Sequence, residues 1–282
     1  MTQSDRSIQE ELLILQEEAL RRKADDPWYQ WNPSPWQSRF VQDVLTGKVE
    51  EAWAFCANRT GKSDAAAFIG SSLARFGQQC PRFETPNPHV YPGPTSGWIV
   101  SVTHKNSIEV VQPKIFNNHL GRDPGHLPFI PDREIASWNV TNQILTLKNG
   151  SSIGFISAEG GAIKIAGASK DWIFFDEEPP KNIYEEAVIR VAAGRRLLIL
   201  GACTLLPPEG QVGGVSWLYP EKIKPWKNNP QSVGWDIYTA SIYENPYISP
   251  SEIARLESIY PEGSPSRAIR LNGELIPGLS IE

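Results

Sequence analysis

Long hydrophobic runs are missing from this sequence. No apolar stretch approaches the roughly 18 residues of a membrane-spanning helix, so no helical membrane span is expected and no membrane partner is called. Cysteine is scarce. Cys56, Cys80 and Cys203 are far apart, odd in number and form no Cys-x-x-Cys pair. That excludes a zinc ribbon and a disulfide scaffold and fits a reduced, intracellular setting. The four histidines, His89, His104, His119 and His126, lack metal-ligand spacing. Basic charge is not in excess: 27 Lys and Arg stand against 32 Asp and Glu, a net charge of −5. A surface coated in positive charge is thereby excluded, although a local basic patch is enough for nucleic acid. The first residues are polar and acidic, unlike a signal peptide. There is no internal repeat.

Hydrophobic residues make up 40% of the 282 positions, enough for one large α/β domain with a small appendage. The most telling stretch is Cys56-Ala57-Asn58-Arg59-Thr60-Gly61-Lys62-Ser63. It follows the apolar run Ala52 to Phe55 and precedes a helix-like Asp64 to Ile69. A strand, a tight loop ending in Gly-Lys-Ser and a helix start form a phosphate cradle. Backbone N–H groups point inward, the Lys ammonium reaches the β/γ-phosphates, and the Ser hydroxyl sits on Mg²⁺. One place departs from the pattern: Cys56 stands where the first glycine is usual, removing that glycine's φ freedom.

A second stretch, Asp171 to Glu178, runs four apolar residues into adjacent carboxylates. It reads as a strand buried on both faces whose acids emerge at its carboxyl end, where open α/β sheets bind ligands. Asp176 is expected to hold Mg²⁺ and Glu177 to polarise an attacking water. Elsewhere, residues 8 to 23 read as an amphipathic helix, Asp25 to Pro35 as a Pro- and Trp-rich loop, and Pro35 to Leu45 as a helix. The helix after the phosphate loop is expected to reach about Phe76. Trp98 to Val102 reads as a strand and Thr103 to Phe116 as a helix broken near Pro113. Residues 143–148 and 152–156 read as a hairpin around Asn149-Gly150. Lys181 to Val191 and Pro250 to Tyr260 read as helices, and Arg196 to Cys203 and Gly234 to Ala240 as strands. Alternating strands and helices predict an α/β fold, a mostly parallel sheet flanked by helices. The strand at Trp98 to Val102, between the two motifs, is taken as the mark of the additional-strand P-loop NTPases.

These residues resemble the ATPase region of tailed-phage terminase large subunits. Asn58 to Ser63 and Phe175-Asp176-Glu177-Glu178-Pro179-Pro180 look like the two ATPase motifs. Pro35-Trp36-Gln37-Ser38-Arg39-Phe40 resembles the upstream adenine-reading segment. Ile156 to Gly161 with Gly167 resembles the segment before the acidic strand. Gly201-Ala202-Cys203-Thr204 sits where the family has its coupling motif. Glu244-Asn245-Pro246 and Arg270-Leu271-Asn272-Gly273-Glu274 resemble the tail of the ATPase region. The likeness spans about residues 28 to 276. Departures are Cys56 and Ala57 in place of glycine, Leu205 and Leu206 before Pro207, and Ala166 in place of an Arg before Gly167.

The resemblance implies an ATP- and Mg²⁺-dependent motor that packages double-stranded DNA into a procapsid in the host cell cytoplasm. It implies a homo-oligomeric ring, a small terminase subunit and a portal protein as partners. Lys62, Arg59 and Glu177 are then catalytic, and Gln37 and Cys56 to Ser63 bind ATP. Ser63 and Asp176 hold the metal, and Thr204 couples hydrolysis to motion. Lys164, Arg190, Arg195 and Arg196 are the candidates for a finger acting in trans, and Lys164, Lys170, Arg190, Arg195 and Arg196 the basic residues considered for DNA contact, with ordinary surface charge the alternative for any one of them. The expected division is a lead-in over 1–34, the ATPase core over 35–245, and a helical tail over 246–282 toward a nuclease domain expected to be absent from the chain. Two other readings stay open: a helicase-like nucleic-acid translocase, and a non-hydrolysing nucleotide-binding docking subunit.

Overall fold

Among the described residues, the alternating and continuous apolar runs, with one stretch they did not mark, become eight strands of one sheet. The computed structural model describes residues 14, 16–90, 92–118, 127–161, 169–189, 198–205 and 216–276. The strands are β1 (Glu51–Cys56), β2 (Ser96–Ser101), β3 (Ile135–Asn139), β4 (Ile144–Leu147), β5 (Ser152–Ser157), β6 (Trp172–Asp176), β7 (Leu198–Cys203) and β8 (Asp236–Ala240). Their spatial order is β3-β4-β5-β2-β6-β7-β1-β8. All neighbours are parallel except β3–β4 and β4–β5. The expected mostly parallel sheet is therefore present. The strand separating β1 from β6 in space is β7, however, and not the Trp98 strand taken as the mark of the additional-strand class. Order in the chain and order in the sheet differ because parallel neighbours are joined by crossovers.

β1 shows how the two faces are filled. Ala52, Ala54 and Cys56 face one core with α1 (Pro35–Leu45) and α2 (Lys62–Phe76). Trp53 and Phe55 face the other, with Ile183 and Ala187 of α3 (Lys181–Val188). The small residues let α2 lie close to the sheet, and the large ones fill the opposite layer. Three tryptophans lie against a glycine of the neighbouring strand, in register: Trp53 over Gly201, Trp172 over Gly97, and Trp98 beside Gly154. A Cβ on Gly201 would stand 2.1 Å from the Trp53 ring, and one on Gly97 1.9 Å from that of Trp172.

Several boundaries depart from the sequence reading. The 25–35 stretch is no plain loop. Pro27–Gln30 is a helical turn, and Trp28 is fully buried, stacked on Phe68 at 5.0 Å. The bidentate Asp26–Arg75 pair, at 3.1 and 2.5 Å, fixes it to α2. In the 8–23 helix, residues 16–24 are helical, but Leu20 is 66% exposed and takes no part in the core. Ile8, Leu12 and Leu15 lie outside the described residues. The Thr103–Phe116 helix is three helical pieces, with a wide π-turn over Ser107–Val111 that ends two residues before Pro113, which has no N–H to give. β3 was not foreseen, nor was the short α5 (Pro265–Arg270), which follows α4 (Pro250–Ile259). Both α4 and α5 begin at a Ser-Pro pair whose serine hydroxyl accepts an N–H of the first turn.

Candidate functional site

The phosphate-loop sequence and the two acids meet at the carboxyl ends of β1, β6 and β7, which are neighbours in the sheet. Cys56 is the last residue of β1 and stays extended, so the missing glycine costs no strain there. Its thiol is buried, 3.9 Å from the Tyr238 carbonyl, and burial pushes it up to about 12. Positive φ appears instead at Arg59 (+57°) and Gly61 (+82°), where the loop turns into α2.

The loop is held from two sides. Ala57 N–H donates to Ala240 O on β8, and Asn58 N–H to Arg270 O at the end of α5, both at 2.9 Å. Asn245 Nδ2 donates to Arg59 O at 2.6 Å. On the other side, Trp36 Nε1 donates to Thr60 O at 3.1 Å and Gln37 Nε2 to Gly61 O at 2.8 Å. Lys62 Nζ lies over the loop, donating to Cys56 O (3.2 Å) and Ala57 O (2.9 Å).

Ser63 Oγ donates to Asp176 Oδ1 at 3.3 Å, and Asn106 Nδ2 to Asp176 Oδ2 at 2.7 Å. Glu177 sits in the left-handed region (φ +72°), which turns its carboxylate back to accept Thr204 N–H at 2.7 Å. Thr204 Oγ1 in turn donates to Asn58 Oδ1 at 3.2 Å. A hydrogen-bonded path thus joins β6, β7 and the loop. Burial, with Glu177 beside it, pushes Asp176 up to about 7, against the donors Asn106 and Ser63 and the Lys62 charge. Burial likewise raises Glu177, opposed by Lys62 and Thr204. Glu178 is part of the fold: its Oε1 accepts Trp217 N–H at 3.1 Å.

The donor set suits Mg²⁺. A hydroxyl and a carboxylate are hard oxygen ligands, and Mg²⁺ usually takes one or two protein ligands, completing its shell with waters and phosphate oxygens. A dication beside two adjacent buried acids would offset the desolvation that raises them. Among the described residues no group of three or more His, Cys, Asp and Glu is arranged to hold a metal by itself.

Other sequence expectations fare differently. The Arg59 guanidinium pairs with Glu252 of α4. Both ends of the Gln37 amide are on backbone, because its Oε1 also accepts Ser34 N–H at 2.8 Å. Lys170 donates to Ser96 Oγ at 2.7 Å and lies over the Trp98 ring, half-buried. Lys164, Ala166, Gly167, Arg190, Arg195, Arg196, Leu206 and Pro207 lie outside the described residues. Asn106 was missed altogether. It stands in no motif, and only the approach of β2 to β6 brings it to Asp176.

A mostly parallel sheet with a Gly-Lys-Ser loop at the end of β1, acids at the end of β6 and β7 between them defines the fold of a P-loop NTPase of the additional-strand type. Comparison with solved structures gives that fold particular relatives. The chain is similar to the large terminase of a thermophilic bacteriophage in complex with ADP, at 14% identity and a TM-score of 0.57, over 87% of this chain and 54% of that one. The same phage's terminase in complex with ATP-gamma-S is similar at 11% identity and a TM-score of 0.55, over 87% and 53%. The large terminase ATPase domain of a Thermus phage is similar at 15% identity and a TM-score of 0.56, over 88% of this chain and 96% of that one. At such identities the likeness is one of fold: this chain has the fold of phage large-terminase ATPase domains. It spans about half the length of the terminase seen with ADP. No family model and no curated protein matches the sequence.

Proposed function

We propose that this chain is the ATP-hydrolysing motor domain of a viral DNA-packaging terminase large subunit. The observation that carries the reading is the convergence of Lys62, Ser63, Asp176 and Glu177 at one sheet edge, with Ser63 3.3 Å from Asp176 and Glu177 tied to Thr204. Neighbours of the same fold, in complex with ADP or ATP-gamma-S, support it.

In this reading the N–H groups around Gly61 and the Lys62 ammonium bind the β/γ-phosphates. Ser63 and Asp176 hold Mg²⁺, which supplies charge neutralisation at the transferring phosphoryl group. Glu177 orients the water for in-line attack, its carboxylate kept in place by the Thr204 amide. Thr204 passes the state of the site to Asn58 and the loop. Residues 35–245 are the ATPase core, 1–34 a lead-in, and 246–282 a tail toward a nuclease domain. Subunits assemble as a ring on a portal, with a small terminase subunit, and translocate double-stranded DNA in the host cytoplasm. A neighbour's cation completes each site.

The test is phosphate release from ATP over a range of protein concentrations. Glu177→Gln preserves an acceptor for Thr204 but not the carboxylate. It is expected to slow turnover about 100-fold or more while leaving ATP affinity within about threefold. Lys62→Ala is expected to lose both. Turnover rising faster than linearly with concentration supports a shared site. Normal turnover in Glu177→Gln removes the assigned role. ATP binding with no turnover at any concentration favours the docking subunit, and strand unwinding favours the helicase-like translocase.

A further inference from the structure

We infer that Gln37 and Trp36 form a brace that shapes the phosphate loop, and that Gln37 sets phosphate affinity rather than reading the base. The inference rests, for its ligand, on nucleotide binding at the β1 loop.

Two adjacent side chains in the first turn of α1 hold two adjacent carbonyls of the loop: Trp36 Nε1 to Thr60 O at 3.1 Å, Gln37 Nε2 to Gly61 O at 2.8 Å. In a trans peptide the N–H points opposite to the preceding C=O. Holding the carbonyls of Thr60 and Gly61 toward α1, with Gly61 O shared between Gln37 and the first bond of α2 from Ala65 N–H at 3.1 Å, therefore keeps the N–H groups of Gly61 and Lys62 away from α1. Those are the donors a phosphate would meet at the start of α2. The other end of the Gln37 amide is also engaged, since its Oε1 caps α1 by accepting Ser34 N–H at 2.8 Å. Reading adenine takes one donor and one acceptor of the amide together, and here both ends are committed in a residue only 5% exposed.

The same contact shows in the packing. A Cβ on Gly61 would lie 2.5 Å from Gln37 Nε2. The Gln37 amide occupies the space a side chain at 61 would need, so glycine there serves this contact as well as its positive φ.

The test compares binding of ADP, GDP and inorganic tripolyphosphate, each with Mg²⁺, to the wild-type chain, Gln37→Glu and Trp36→Phe. The glutamate keeps the acceptor for Ser34 but turns the donor toward Gly61 into an acceptor. The phenylalanine keeps most of the ring and loses the N–H. Amide hydrogen exchange over residues 59–62 is measured without ligand. The brace predicts that both variants weaken all three ligands by a common factor, about 3- to 10-fold for one lost hydrogen bond, and exchange faster over 59–62. Loss confined to ADP overturns it in favour of an adenine reader, and unchanged binding and exchange overturn it outright. Should the wild-type chain bind none of the three, the nucleotide reading fails. Exchange then decides the brace alone: faster exchange in both variants upholds it, and unchanged exchange overturns it.

Discussion

Glu177 holds a left-handed backbone (φ +72°) with a full side chain attached, a conformation that costs on the order of 1–3 kcal/mol and persists only where the surroundings impose it. The Thr204 N–H and the Ala202 carbonyl, which accepts Glu177 N–H at 3.0 Å, impose it here. Asn106 acts on the neighbouring acid. Its amide fixes Oδ2 of Asp176 and leaves Oδ1 toward Ser63. Removing a hydrogen bond to a charged group costs about 1.5–3 kcal/mol. Asn106→Ala is therefore expected to raise the Mg²⁺ concentration for half-maximal phosphate release about tenfold. An unchanged Mg²⁺ dependence would reduce Asn106 to a tether of its helix. Lys62, Ser63, Asp176 and Glu177 were readable in advance because each sits at a junction of an apolar run with a polar turn. Asn106 was not, because its partner is 70 residues away and no local pattern marks it.

Among the elements, the parallel strands owe their register partly to tryptophan–glycine pairs. Trp53 covers Gly201 and Trp172 covers Gly97, so a slip of one residue would put a ring against a Cβ. Gly201→Ala introduces a contact of 2.1 Å inside the sheet. It is expected to destabilise the protein by about 1–3 kcal/mol, read as a lower urea midpoint at unchanged m. An unchanged midpoint would mean that Trp53 relaxes freely. Elements with clear ends were legible: the helices α1 and α2 and the fully buried strands β6 and β7 begin and end close to where apolar pattern and caps put them. β3 was missed because its burial is only intermittent, exposed at Ala136, Ser137 and Asn139, which blurs the pattern in sequence. α5 escaped notice despite a Ser-Pro start like that of α4, because it is only six residues long.

Across the whole molecule, one stretch of the segment expected as a lead-in, Asp26 to Trp31, packs into the main core. Arg75 at the end of α2 is bonded to Asp26, Glu134 and the Phe129 carbonyl, under the rings of Trp28 and Phe76. The Arg75 and Asp26 side chains are 3% and 2% exposed. Asp26→Ala leaves a buried guanidinium short of a partner, a change that costs about 3–5 kcal/mol. Denaturant unfolding is expected to show that loss, and a shift under about 1 kcal/mol, the scale of an ordinary hydrogen bond, would show that Glu134 and Phe129 suffice. The tail is tied in as firmly. Arg270 O and Gly273 back the loop at Asn58 and Ala57, so residues 246–276 shape the site as well as follow it.

By itself the sequence determined the class of fold and the places along the chain of the loop and the acids. Apolar periodicity and Gly-Lys-Ser after a strand are local signals, set by backbone geometry and by what a phosphate needs. The tertiary structure alone decided which strand separates the loop from the acids. It decided that Arg59 faces Glu252 and that Gln37 faces Gly61, and it brought Asn106 to Asp176. Each of those is a meeting of residues distant in the chain. Crossover connections and packing bring such residues together, and no local pattern records it.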